Sequence, residues 1–507
     1  MASAMEAFFP TLADAFIALM EPTRLLLLFT GVLLGLFLGA MPGIGGLTAI
    51  ATLLPFLLMM DTKSAIALLI GIMVSGNTGD TLPAVLFGIP GSSASQATIL
   101  DGHPLARKGE AARALGAAYL ASMIGGIIGA LVLTVTLQVI KPFILSFGTP
   151  ELFMLGLLGI SMTGSLARGA TVKGLIAGCL GLLLATIGYD PLTANLRWTF
   201  GTTYLYDGIP LIVVALGIFA VPELVDLAIR GRPIAENTKI EIKGSLIQGM
   251  GDTLRHWFLV VRTSMIGIFI GFLPGLGGSV TDWFAYSHAL QTEKGAKETF
   301  GKGDIRGVIG VDAATNSKEG GALIPTLALG IPGSVSMAFL LYLFTMHGIP
   351  AGPRMLINHT DIVLTIAWSV ALANIMATGV MLVATTQTAK IALIPFHWLV
   401  PLISVFIIFG AYQASLQPGD IIALMGISVF GWLMKRFGWP RPPLILGYVL
   451  SPILEQYLSI TLVRYGFGFV TRPLVIITAF FIGFSIYAGI KHSRRSEALQ
   501  PRAMLEA

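Results

Sequence analysis

Gly35-Leu-Phe-Leu-Gly39-Ala-Met-Pro42-Gly43-Ile-Gly45-Gly46 and Gly267-Ile-Phe-Ile-Gly271-Phe-Leu-Pro274-Gly275-Leu-Gly277-Gly278 are two copies of one pattern. Seven of the twelve positions are identical, every glycine and the proline among them. Each copy starts as an apolar helix and runs into Pro-Gly-x-Gly-Gly. Proline lacks an N–H and clashes with the preceding turn, and glycine holds a helix poorly. An apolar helix is therefore interrupted in mid-run, twice. In lipid, unpaired backbone is tolerated only where it is buried in protein or lines a cavity. Interrupted apolar segments at matching places in two halves point to a transporter binding site.

Composition agrees with a membrane setting. Of 507 residues, 55% are hydrophobic and 11% charged, with mean hydropathy +0.84. Soluble domains carry about 25% charged residues. At roughly 20 apolar residues per span, the length suggests about ten to fourteen membrane segments, some of them half-length. The net charge of +5 does not suggest nucleic acid, because the basic residues sit in short clusters between apolar runs, as in cytoplasmic loops. Cys179 is the only cysteine, which excludes a disulfide or a Cys metal site, and it reads as a small core residue.

Residues 1–24 read as an amphipathic segment at the membrane surface, with Phe8, Phe9, Leu12, Phe16 and Leu19 at roughly helical spacing. No basic n-region precedes them, so no cleavable signal is expected. Residues 25–229 form a first transmembrane half and 257–490 a second. A polar, basic connector at 230–256 joins them, and 491–507 is a tail with Lys491, Arg494 and Arg495; connector and tail are both expected in the cytoplasm. Beyond the Pro-Gly breaks, Gly88-Ile-Pro-Gly-Ser92 recurs at Gly330-Ile-Pro-Gly-Ser334, and Gly102-His-Pro104 at Gly348-Ile-Pro350. The offsets are 232, 242 and 246. Thr81–Leu100 and Gly321–Phe344 are too broken for single spans and fit two re-entrant hairpins. The fold class expected is thus an all-α polytopic membrane protein of two homologous repeats with broken helices. An inverted arrangement is favoured, as in other hairpin-bearing carriers. Gly125-xxx-Gly129 marks a close helix contact.

The breaks expose backbone N–H groups at the start of the next helix, an end that carries about half a positive charge. That suits an anion without any basic side chain. Pro42, Gly43, Gly45, Gly46, Pro274, Gly275, Gly277 and Gly278 are therefore candidate substrate residues. Gly91, Ser92, Ser93, Gly333, Ser334 and Ser336 at the hairpin tips join them, since hydroxyls can bond carboxylate oxygens or cap half-helices. The plainer reading is close packing for the glycines and capping for the serines. Asn77, Thr78 and Asp80 sit between an apolar helix and the first hairpin, with Asn316 and Ser317, followed by Lys318 and Glu319, at the matching place. Asn77, Thr78, Asp80, Asn316 and Ser317 offer oxygens to a hard cation such as Na⁺; the plainer reading is solvated loops. Asp80, Asp282 and Asp312 are intramembrane carboxylates, functional candidates by default. The histidines lack metal-ligand spacing, and no transition metal or other cofactor is expected.

The chain resembles the large membrane subunit of the tripartite tricarboxylate transporters, the TctA type. The resemblance runs from about Leu25 to Ile490. It rests on Gly39-Ala-Met-Pro-Gly-Ile-Gly-Gly-Leu-Thr48, Gly88–Ser92, Gly271–Gly278, and Asp312-Ala-Ala-Thr-Asn-Ser-Lys-Glu-Gly-Gly-Ala-Leu-Ile-Pro-Thr-Leu-Ala-Leu-Gly-Ile-Pro-Gly-Ser334. It implies a bacterial inner-membrane permease rather than an enzyme. It also implies a small TctB-type membrane subunit, a periplasmic TctC-type solute-binding protein, and uptake of tricarboxylates or related carboxylates driven by Na⁺ or H⁺. The ion-coupled carriers with paired hairpins suggest by analogy an elevator motion against a scaffold such as Ala114–Leu137 and Ile362–Ala384. An anion channel or a membrane-embedded enzyme is the alternative, although no Ser/His pair or Asp dyad recurs at fitting places. Oligomeric state stays open, a homo-oligomer included.

Overall fold

The computed structural model describes residues 2–41, 45–92, 94–144, 147–165, 171–190, 193–230, 242, 244–274, 278–391 and 396–503. The first half holds α1 (Ala2–Leu19), α2 (Pro22–Gly39), α3 (Gly45–Leu57), α4 (Thr62–Phe87), α5 (Thr98–Arg107), α6 (Ala111–Ile144), α7 (Thr149–Ser165) and α8 (Thr171–Leu184). A two-stranded antiparallel hairpin follows, β1 (Gly188–Tyr189) with β2 (Leu196–Arg197). Then α9 (Leu211–Ala215) continues through one π-helical turn into α10 (Val221–Arg230). The second half holds α11 (Leu246–Arg255), α12 (Trp257–Phe272), α13 (Gly278–Thr292), α14 (Ala296–Thr299), α15 (Ile305–Leu329), α16 (Val335–Met346), α17 (Pro353–Asn358), α18 (Thr360–Ile391), α19 (Phe396–Tyr412), α20 (Pro418–Arg436), α21 (Pro442–Tyr465) and α22 (Pro473–Ala503).

Among the described residues, eight helical runs are long and apolar enough to cross a membrane, and the pair α11–α12, bent by 79°, makes a ninth. Five shorter apolar helices, α3 and α16 among them, supply the half-length pieces. The outer faces stay apolar where no helix covers them, as at Phe269, Val383, Val463 and Phe480. Only lipid solvates such a surface, and the chain is an all-α multi-pass membrane protein.

Two expectations change here. The polar stretches Ser75–Asp80 and Asp312–Glu319 are not loops ahead of hairpins. They lie inside the continuous helices α4 and α15, with Pro83 and Pro325 in their last turns. Thr81–Leu100 is thus the end of α4, an irregular turn and the start of the polar helix α5, while 321–344 is the end of α15, a short break and α16. The polar groups are tolerated in mid-helix because α4 and α15 face one another and pair them. Asn77 Nδ2 donates to Glu319 Oε1 (2.9 Å), Asn316 Nδ2 to Thr78 Oγ1 (3.0 Å), and Thr81 Oγ1 to Asp312 Oδ1 (2.5 Å). As the first number rises the second falls, so the two helices run antiparallel. Cys179 is the other change. It is exposed on the outer face of α8 rather than in the core, where a small apolar side chain suits lipid.

Contacts recur between the halves at one offset. A Cβ on Gly35 would meet Ser75 Oγ and Ile72 O under 3.0 Å, and one on Gly267 would meet Ser317 Oγ and Ala314 O. A Cβ on Gly39 would strike Gly76 O, and one on Gly271 Lys318 O. Each struck residue in the second half lies 242 positions after its counterpart. The αL caps Gly88 (φ 66°) and Gly330 (φ 70°) keep the same spacing. The glycines of α2 and α12 are thus required by direct backbone contact with α4 and α15.

The halves are also clasped together at both ends. Asp101, which precedes Gly102-His-Pro, accepts from the Gly303 and Asp304 amides (both 2.8 Å) and Tyr286 OH (2.9 Å) just ahead of α15. His347, which precedes Gly348-Ile-Pro, bonds Met60 O (3.0 Å) just ahead of α4. Helix α6 meets α15 with Gly125 and Gly129 against the Ala313 and Ser317 backbone, and α18 packs on α4 and α6. A second layer consists of α7, α8, α21 and α22, with 211–230, α19 and α20 packed together elsewhere. Helices α6 and α18 thus pack directly on α15 and α4. Helix α1 lies on α18, with the Phe16 and Trp368 rings 4.8 Å apart. Residues 231–241 and 243 of the expected connector fall outside the described residues, and its remainder includes α11, which packs on α6 through Arg113–Asp252 (2.5 Å).

Candidate functional site

Three helix starts and two long helices enclose one cavity of about 220 Å³. Gly46 and Leu47 come from the first turn of α3, Gly278 and Val280 from that of α13, and Ser334, Val335 and Ser336 from that of α16. Asn77 and Asp80 of α4 line it together with Lys318 and Glu319 of α15. Pro440, Pro442 and Leu446 at the start of α21, with Thr163 of α7, close the side toward the second layer. The first N–H groups of a helix have no intrahelical partner. Three such ends therefore give the cavity donors and positive dipole ends.

Its side chains are strongly polar for an apolar protein. Lys318 and Glu319 are 5% and 4% exposed and pair at 2.6 Å. The same Glu319 oxygen, Oε1, also takes the Asn77 bond, while Oε2 has no partner among the described residues. Ser334 caps α16 without a side-chain bond to it, and its buried Oγ is also unpartnered. Asp80 accepts from Ser92 Oγ, which in turn accepts from Ala94 N at 3.0 Å. The first tip is thereby tied to α4.

Of the residues singled out in the sequence, Gly46, Asn77, Asp80, Ser92, Gly278, Ser334 and Ser336 are on this cavity wall. Gly45 begins α3, and Pro274 lies against Gly159 of α7. Gly91 and Gly333 sit against Asp80 and Ala322 with no room for a Cβ, so close packing explains them. Pro42, Gly43, Ser93, Gly275 and Gly277 fall outside the described residues. Three expected cation ligands turn elsewhere. Asn316 bridges Thr78 and Asn374 Oδ1 (2.9 Å), and Ser317 donates to Ser264 O (2.9 Å). These bonds occupy the Asn316 Nδ2 and Ser317 hydroxyl donors between helices. Asp312 is held by Thr81 and Thr98, and Asp282 by Thr315 and the Gln96 amide. Lys318 and Glu319 were passed over as ligands. The signal for them was present, as two adjacent charges inside an apolar helix are functional candidates.

The family model described as "Tripartite tricarboxylate transporter TctA family" matches residues 25–446. An "Uncharacterized 52.8 kDa protein in TAR-I ttuC' 3'region" of Agrobacterium vitis is 33% identical over 460 residues, covering 90% of this chain and 91% of that protein. An "Uncharacterized protein in TAR-II ttuC' 3'region" of the same organism is 32% identical over 192 residues, or 38% of this chain and 79% of that protein.

Proposed function

This chain belongs to the tripartite tricarboxylate transporter TctA family, and from that premise we propose that it is the permease subunit of a binding-protein-dependent secondary carrier for tricarboxylates or related organic carboxylates. It sits in a bacterial inner membrane beside a small membrane subunit, and a periplasmic solute-binding protein delivers the substrate. The observation that carries this reading is the cavity on which three helix starts and the tip serines converge. Backbone N–H groups of α3, α13 and α16, with Ser92, Ser334 and Ser336, bind the carboxylate oxygens. A Na⁺ ion or proton binds near Asn77 and Asp80 and offsets the anion. Thr78 and Asn316 join α4 to α15, and Ser317 joins α15 to α12.

Residues 25–229 and 257–490 act as two inverted repeats; the antiparallel pairing of α4 with α15 and the 242-residue recurrence support this. Basic residues such as Lys108, Arg113, Lys302 and Arg306 gather at the end where α15 begins, which is then the cytoplasmic end. The cavity lies between the inner body and the start of α21. That position suits an elevator in which α2–α6, α12–α16 and α18 travel against a frame of α7–α10 and α19–α22. Counterflow by the reconstituted complex, with and without a Na⁺ gradient and across a panel of carboxylates, tests the proposal. A carrier trans-stimulates and concentrates its solute, whereas a channel does neither.

A further inference from the structure

Lys318 and Glu319 carry more than a structural ion pair. Neighbours on a helix point about 100° apart, yet both side chains lie on the cavity wall and meet at 2.6 Å. Burying two charges is costly unless the remaining polar sites are filled, and here they are not. Among the described residues, Glu319 Oε2 is a buried acceptor with no partner, and Ser334 Oγ is a buried hydroxyl with none. The wall thus holds an anionic oxygen that lacks a cation and an O–H that lacks an acceptor. A carboxylate together with a monovalent cation supplies both.

The pair occurs once. The positions 242 earlier, Gly76 and Asn77, line the same cavity without charge, and Asp80 of the first half corresponds to Ala322 of the second. The two halves therefore contribute unlike chemistry to one site. The Lys318 and Glu319 charges offset each other, so the empty wall offers an anion no free cation. An anion entering it must bring a cation or release Lys318 from its partner.

We propose that Lys318 is the side-chain anchor for a substrate carboxylate and that Glu319 is the coupling carboxylate. The incoming carboxylate takes the Lys318 ammonium away from Glu319 and accepts the Ser334 hydroxyl. Glu319, still held at Oε1 by Asn77, then binds one monovalent cation, a proton or Na⁺, drawn from the side on which the substrate entered. After the site turns to the other side both ligands leave and the ion pair re-forms. The step breaks no covalent bond of the protein. Net charge is carried by the substrate and its cation, and the empty carrier returns with the pair closed. This rests on the carrier reading given above and names the groups that couple it.

The test uses the complex with its partners in proteoliposomes, with a carboxylate that the wild type transports. Failure of the wild type to trans-stimulate with any carboxylate overturns the carrier reading itself, independently of the pair. Given a transported carboxylate, K318M raises its half-saturating concentration at least tenfold, and K318R restores part of it. E319Q makes that concentration independent of Na⁺ and of pH, whereas in the wild type it falls as one of them is raised in concentration. A Na⁺ response at fixed pH identifies the ion as Na⁺, and a pH response at fixed Na⁺ identifies it as the proton. Because K318M leaves Glu319 buried and alone, the uncharged double variant K318M/E319Q keeps the fold and loses both the substrate and the cation response. Wild-type substrate affinity in the double variant, or an unchanged cation response in E319Q, overturns the proposal.

Discussion

Asn77 donates to Glu319 at 2.9 Å, and the two residues stand 242 positions apart, the same offset that relates the glycine contacts of their helices. Residues at equivalent places in two related halves touch one another only near the axis that relates them. On the repeat reading proposed above, the contact marks the axis between the halves, and the cavity lies beside it. The polar residues in the middle of the two long helices gather around this contact. Some of them fasten α4 to α15, and some are left facing the empty space.

Gly46 separates binding from packing. A Cβ there meets nothing within 4 Å, yet the residue is on the cavity wall. Gly46→Val is expected to insert and fold normally and to abolish carboxylate uptake by filling the site. Gly271→Val is the contrast, because its Cβ would strike Lys318 O. Overpacking of that kind costs typically 1–3 kcal/mol, and here the clash is with backbone. Melting in detergent and uptake in vesicles, measured side by side, check both, with stability lost only in Gly271→Val.

Ser334→Ala removes a hydroxyl that has no partner among the described residues. Its stability is expected to stay within about 0.5 kcal/mol of wild type, as for substitutions that break no contact. Substrate affinity is expected to fall about fivefold, one hydrogen bond of about 1 kcal/mol. Ser92→Ala, which frees Asp80 and the Ala94 amide, is expected to lower both. Thermal melts paired with substrate titrations distinguish the two serines.

Asn316→Ala is expected to destabilise by roughly 1–3 kcal/mol, because Thr78 and Asn374 lose a buried partner. The cation dependence of uptake by the variant that reaches the membrane is expected to match wild type. Na⁺ and pH titrations of initial rates check this, and a changed ion response would return Asn316 to the ion site.

The clasp at the two ends responds unequally. Asp101→Ala leaves the Gly303 and Asp304 amides and Tyr286 without an acceptor, a loss of roughly 3 kcal/mol, whereas His347→Ala frees one carbonyl and costs about 1 kcal/mol. Burial pushes the Asp101 carboxyl up from its ordinary range, against bonds from the Asp304 and Gly303 amides and Tyr286 that lower it. An acid whose pKa is higher in the folded state adds stability that is fully present below its unfolded value and is lost as pH rises through the folded one. Lowering the pH from neutral toward the ordinary carboxylate range is therefore expected to raise the melting temperature of the wild type relative to Asp101→Asn. Parallel melts at several pH values read this slope.

The glycine breaks and tip sequences announce the site because glycine and proline act locally, and α3 and α13 do begin at Gly45 and Gly278. The continuity of α4 and α15 was not legible. Ser75–Asp80 and Asp312–Glu319 look like loops until one knows that each helix supplies the other's partners, and that is a contact across more than two hundred residues. For the same reason the candidate ligands split. Asn77 faces the cavity and Asn316 does not, although both are asparagines in matching stretches. The 100° step along each helix decides which of them faces inward. The close packing of α6 on α15 was foreshadowed by Gly125 and Gly129, whose spacing signals a close helix contact without naming the neighbour.

The most direct test of the central claim is a substrate-bound structure of the complex at a resolution that shows a carboxylate. Density among Gly46, Gly278 and Ser334, with carboxylate oxygens within hydrogen-bond distance of the first amides of α3, α13 or α16, is the expected result. Substrate held elsewhere, with those helix starts packed against protein alone, would contradict it.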